Sequence, residues 1–134
     1  MDRRFFLAAS GASTLSLGAV TPAMAADGSS LPAVNVVYTA DNLGVHQARK
    51  GSHLPKVEVA DGKVTVSTPH GVSDEHFIVR HTLLLADGSL VGAKTFTSKD
   101  KPVSEYQLPA GYKGKIYATS FCNLHDLWLT DYNV

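Results

Sequence analysis

The chain has 134 residues, 44% of them hydrophobic and 18% charged, with 12 basic side chains balancing 12 acidic ones. Those proportions exclude a disordered chain and leave material for one hydrophobic core but not for two. A formal net charge of zero removes the electrostatic basis for a nucleic-acid partner or an anionic membrane surface.

Residues 1–25 read as an address rather than as structure. Asp2-Arg3-Arg4-Phe5-Phe6-Leu7 places two adjacent arginines before an apolar, small-residue run to Val20, and Ala23-Met24-Ala25 supplies a small-x-small cleavage signature. The run is interrupted by Ser, Thr and Gly and is short for a span of about 20 residues, so cleavage is expected, with no stable membrane insertion afterwards. The arginine pair followed by Phe-Phe-Leu resembles a twin-arginine signal, a route for proteins exported already folded, and implies a periplasmic location. The exported domain is then expected to cover residues 26–134. Starting near Ala26, it loses Asp2, Arg3 and Arg4 and keeps 10 basic and 11 acidic residues, a net charge of −1.

From there the pattern is β throughout. Val34-Asn35-Val36-Val37-Tyr38 is a short β-branched run. Val57-Glu58-Val59 and Val64-Thr65-Val66 alternate apolar and polar residues around Asp61-Gly62, a strong hairpin signal. Phe77 to Leu85 forms a longer apolar strand ended by a turn at Asp87-Gly88, and Leu90 to Thr97 pairs back from it. Val103 to Leu108, Lys115 to Phe121 and Trp128 to Tyr132 complete the series. No window of helical period occurs outside the leader. About seven short strands predict an all-β, immunoglobulin-like antiparallel sandwich.

Cys122 is the only cysteine. An exported domain with one cysteine has no internal disulfide, which leaves its thiol for core filling, intermolecular pairing or metal ligation. His125 follows three residues later in Phe121-Cys122-Asn123-Leu124-His125-Asp126-Leu127-Trp128, and a thiolate and an imidazole on one tight loop can reach a single ion. Of the remaining histidines, His46 falls in the loop after the first strand, His53 in Ser52-His53-Leu54-Pro55, and His70 after Pro69. His76 opens the long strand and His81 lies within it. A lone histidine is usually a surface or satisfied core residue. Several, together with a cysteine, at loops and strand ends are different, because a sandwich can gather such side chains at one end.

His53-x-Pro55, Pro69-His70, His76-Phe77-Ile78 and Cys122-Asn123-Leu124-His125, with a Trp three residues on, look like the iron-binding domain of the superoxide reductases, the desulfoferrodoxin and neelaredoxin family. The resemblance runs through the whole domain in order, and Cys-Asn-x-His is its most specific part. It implies that His53, His70, His76 and His125 are four equatorial nitrogen ligands of one mononuclear non-haem iron, with Cys122 as the axial thiolate. His46 and His81 match no ligand position. Asn123 and Leu124 are implied as outer partners whose backbone amides donate to the sulfur. The implied reaction is the one-electron reduction of superoxide by Fe(II), with two protons, giving hydrogen peroxide and Fe(III), which an external electron donor re-reduces. Relatives often form dimers or tetramers, so a homo-oligomer is an open expectation that the sequence leaves undecided.

The family commonly has Glu-Lys before the first histidine, where this chain has Gly51-Ser52, and Gly71 follows His70 where Pro is usual. With Cys122 alone there is no four-cysteine second iron module. Lys50, two residues before Ser52 and separated from it by Gly51, is the expected substitute for the missing lysine in attracting superoxide. A blue-copper electron carrier is the competing class, since such proteins are exported β-sandwiches with a Cys-x-x-His loop. They usually need a methionine after that loop, and the only methionines here, Met1 and Met24, leave with the leader. A metal-free adhesion module leaves Cys122 and the histidine set unexplained.

Overall fold

Among the described residues, alternating apolar positions produce eight strands in two sheets. The computed structural model describes residues 36–134, so the leader at residues 1–25 and the domain start at Ala26 lie outside the described residues. The strands are β1 (Val37–Tyr38), β2 (Lys56–Ala60), β3 (Lys63–Ser67), β4 (Ile78–Leu85), β5 (Leu90–Thr95), β6 (Val103–Gln107), β7 (Lys115–Cys122) and β8 (Asp126–Asn133). One sheet has the order β1-β8-β7-β4-β5 and the other β2-β3-β6. The β2–β3 turn is the expected one: Asp61 and Gly62 both take positive φ, which Gly62 adopts at no steric cost, and Ala60 faces Lys63 across it.

Val64 and Val66 of β3 point inward against Leu83 of β4 and Ile116 and Ala118 of β7, and Leu108 closes this core. Toward the opposite end Cys122 packs with Ile78 and Phe96 in a smaller cluster. Between the two lies a buried polar knot. The Thr68 hydroxyl stands 2.8 Å from both His81 Nε2 and the Ser120 hydroxyl, and Ser104 Oγ is 2.9 Å from His81 Nδ1. His81 and Ser120 belong to the larger sheet, and Ser104 and the end of β3 to the smaller, so the knot ties the layers together. His81 is thus a satisfied core histidine. Its pKa is held down to about 4, first by burial and then by the charge of Lys94.

Two features depart from the expected pattern. The first strand is only Val37–Tyr38 among the described residues, and it pairs with β8 in parallel, so the sandwich is not wholly antiparallel. The loop after it is partly helical, with a 3-10 segment Gly44–Arg49 running into a single turn α1, Lys50–His53. The 3-10 segment buries no residue and α1 buries only His53, so neither generates the apolar period by which a sequence announces a helix.

Candidate metal centre

Three parts of the chain bring the site residues to one end of the sandwich. His53 ends α1 and is 1% exposed. His70 and His76 stand on the connection between β3 and β4. Cys122 and His125 flank the β7–β8 hairpin, where Cys122 faces Asp126 across three loop residues and Asp126 takes a φ of 61°. Pairing of Ile78 with Cys122 draws the start of β4 to the same place.

The geometry of the ring nitrogens is specific. His53 Nε2 lies 3.0 Å from His125 Nδ1, His125 Nδ1 lies 3.0 Å from His76 Nε2, and His76 Nε2 lies 3.0 Å from His70 Nε2. Cys122 Sγ stands 3.5 Å from His125 Nδ1 and 3.9 Å from His70 Nε2. The ligand atoms of His53, His70, His76 and Cys122 all fall within 4.8 Å of one another. Each imidazole nitrogen has one in-plane position, filled by a proton or by a lone pair. His125 Nδ1 and His76 Nε2 each meet two neighbours, so the three contacts cannot all be hydrogen bonds. Nitrogens bound at right angles to one first-row ion at about 2.1 Å stand about 3.0 Å apart. The donor set and its spacing therefore fit a transition-metal ion.

Two of the outward nitrogens, those of His70 and His53, have partners that turn the other ring nitrogen inward. His70 Nδ1 donates to the Gly71 carbonyl. His53 Nδ1 meets the Ser52 hydroxyl at 2.8 Å. Burial first, and then the charges of His70, His125, His76 and Arg49, hold the His53 pKa down to about 3. His76 is lowered by burial, then His70 and Arg49; His125 is lowered by burial, then Arg49, His76, His46 and His70. Neutral rings are the form that ligates.

The hairpin loop is also fixed from outside. Asn123 clamps the strand beside His76: its side chain accepts from the Phe77 amide at 3.0 Å and donates to the Glu75 carbonyl at 2.9 Å. Its backbone amide donates to the Phe77 carbonyl, not to the sulfur. Leu124 is 58% exposed. Trp128, fully buried, donates from its indole to the His125 carbonyl at 2.8 Å. His46 does not join the nitrogen ring; it packs edge-on against Tyr38 and His125.

A cleft of about 290 Å³ opens over the imidazoles, lined by Arg49, Ser52, His53, His70, Ser73 and His76 among others, while Cys122 is fully buried and takes no part in it. The sulfur thus closes one side and the cleft opens another. Lys50 does not line this cleft; its ammonium donates to the Ala40 carbonyl at 3.3 Å. Arg49, which spacing did not single out, does. Only the direction taken by a helical turn distinguishes the two.

Residues 45–131 match the desulfoferrodoxin family model. The superoxide reductase of Pyrococcus abyssi is 40% identical over 93 residues, covering 63% of this chain and 78% of that protein. The superoxide reductase of Pyrococcus horikoshii is 37% identical over the same length, covering 63% and 77%. Among solved structures, the superoxide reductase (neelaredoxin) of Ignicoccus hospitalis superposes with a TM-score of 0.65 at 25% identity, covering 79% of this chain and 98% of its own. That of Treponema pallidum gives 0.53 at 29%, covering 63% and 69%.

Proposed function

The chain belongs to the desulfoferrodoxin family, and from that premise we propose that it is a one-iron superoxide reductase, taking electrons from an external donor and converting superoxide to hydrogen peroxide. The observation that carries the reading is the set of four imidazole nitrogens joined by 3.0 Å contacts beside the buried sulfur of Cys122. His53, His70 and His76 would hold the iron through Nε2, His125 through Nδ1 and Cys122 through Sγ. Imidazole with thiolate selects a transition metal over magnesium or calcium. When bound, the iron supplies one-electron chemistry, made more reducing by the electron density of its thiolate ligand.

The chain's own residues orient the ligands and receive the substrate. The Gly71 carbonyl and the Ser52 hydroxyl hold two rings, and Asn123 and Trp128 hold the loops that carry His76 and His125. Arg49 places a cation at the cleft, and among the described residues no carboxylate pairs with it. An anion approaching the imidazole face meets that charge first. Among the described residues no carboxyl group lines the cleft.

The test is metal analysis of purified protein combined with Cys122→Ser. One iron per chain is expected. The variant is expected to lose the sulfur-to-metal visible band, to release iron at least about tenfold more readily in chelator competition, and to lose superoxide reduction in stopped-flow decay. Copper in place of iron would favour an electron carrier. Absence of any metal, or a variant that keeps band and activity, would overturn the reading.

A further inference from the structure

We infer that Ser52 sets the tautomer of His53 and is a positioning residue of the metal centre, an inference that rests on reading that centre as an iron site. In the sequence Ser52 stands directly before His53, where the family commonly has lysine. In the structure its hydroxyl stands 2.8 Å from His53 Nδ1 and donates to the Arg49 carbonyl at 3.2 Å. A carbonyl oxygen only accepts, so on this inference the single hydroxyl proton goes there and not to Nδ1. The oxygen then presents a lone pair to Nδ1, and Nδ1 carries the ring proton. Nε2 is left with its lone pair, aimed at His125 Nδ1 and at the point where the other nitrogens converge.

His53 makes this arrangement consequential because its ring is buried, 1% exposed, and water does not replace a lost partner freely. Without the hydroxyl nothing directs the proton to the outer nitrogen. A proton on Nε2 would stand where the metal must bind. The tautomer of a ligating histidine is set by the hydrogen bond of its other nitrogen, and loss of such a partner typically costs about 10–100-fold in metal affinity. The relay is also local. Ser52 and His53 lie in α1 and Arg49 is the residue immediately before it, so the residue that lines the cleft also supplies the carbonyl that orients the hydroxyl.

The experiment uses the full chain, the Ser52→Ala and Ser52→Thr variants, and two readouts. Ring ¹⁵N chemical shifts of His53 in the metal-stripped chain report which nitrogen carries the proton, and competition between chelator and Fe(II) reports affinity. The expected result is an Nδ1–H ring in the parent chain, a mixed or Nε2–H ring in Ser52→Ala with Fe(II) affinity lower by about 10–100-fold, and return of both by the hydroxyl of Ser52→Thr. A Ser52→Ala ring still protonated on Nδ1, an unchanged Fe(II) affinity, or a threonine variant as weak as alanine would each overturn the inference. If the parent chain holds no Fe(II), the iron reading fails, while the ¹⁵N shifts still decide whether Ser52 sets the ring.

Discussion

Arg49 and Lys50 are adjacent, yet the helical turn gives them different surroundings: the first lines the cleft over the imidazoles and the second reaches the Ala40 carbonyl. A charge beside an open metal site acts mainly on the association rate of an anion, and salt screens it over about 10 Å at 0.1 M. Arg49→Ala is therefore expected to lower the second-order rate with superoxide several-fold and to flatten its dependence on ionic strength. Lys50→Ala is expected to change both far less. Stopped-flow rates at two salt concentrations check this, and equal effects from the two variants would refute it. The cluster of histidines with Cys122 was legible because Cys-x-x-His on a hairpin and histidines at strand ends leave marks in the sequence. The cation was not, because Gly51, which separates Lys50 from Ser52 in the sequence, lies inside α1, and the direction of that turn leaves no mark in the sequence.

Strands β3, β4, β6 and β7 meet at the His81 knot, directly behind the segment that bears His70; the His70 amide donates to the Thr68 carbonyl at 2.7 Å. The knot makes stability depend on acid. The His81 pKa is about 4 in the fold against an ordinary 6.5, so between those values the unfolded chain binds a proton that the folded chain refuses. Stability from this group is whole above pH 6.5 and falls as pH drops toward 4, by at most about 1.4 kcal/mol per pH unit and roughly 3 kcal/mol in total. Denaturation of metal-free protein at pH 7 and 4.5 should show His81→Gln losing less stability on acidification than the parent chain. An identical loss would refute the assignment. The strands themselves were readable because period-two alternation and Asp-Gly turns are local signals. The knot was not, since it is assembled from Thr68, His81, Ser104 and Ser120, four polar residues whose meeting depends on which sheets stack.

For the molecule as a whole, the role of residues 1–25 remains our proposal from sequence: a twin-arginine leader, removed near Ala26, that delivers the folded domain to the periplasm. Arg3→Lys with Arg4→Lys is expected to hold uncleaved precursor in the cytoplasm. Intact mass of the periplasmic fraction checks the cleavage point, and a species there that retains Met1 would overturn it. The order of the strands bears on the same journey. β8 lies inside the five-stranded sheet, with β1 on one side and β7 on the other, and Cys122 and His125 flank the final hairpin. The earliest described strand thus waits for the latest, and His53, His70 and His76 wait for the last two donors. At roughly 5–20 residues per second of synthesis, the 72 positions between His53 and His125 separate the first donor from the last by about 4–14 s. The centre is then complete only once the β7–β8 hairpin has been made, so metal capture follows the last ligands to be synthesised and not the first.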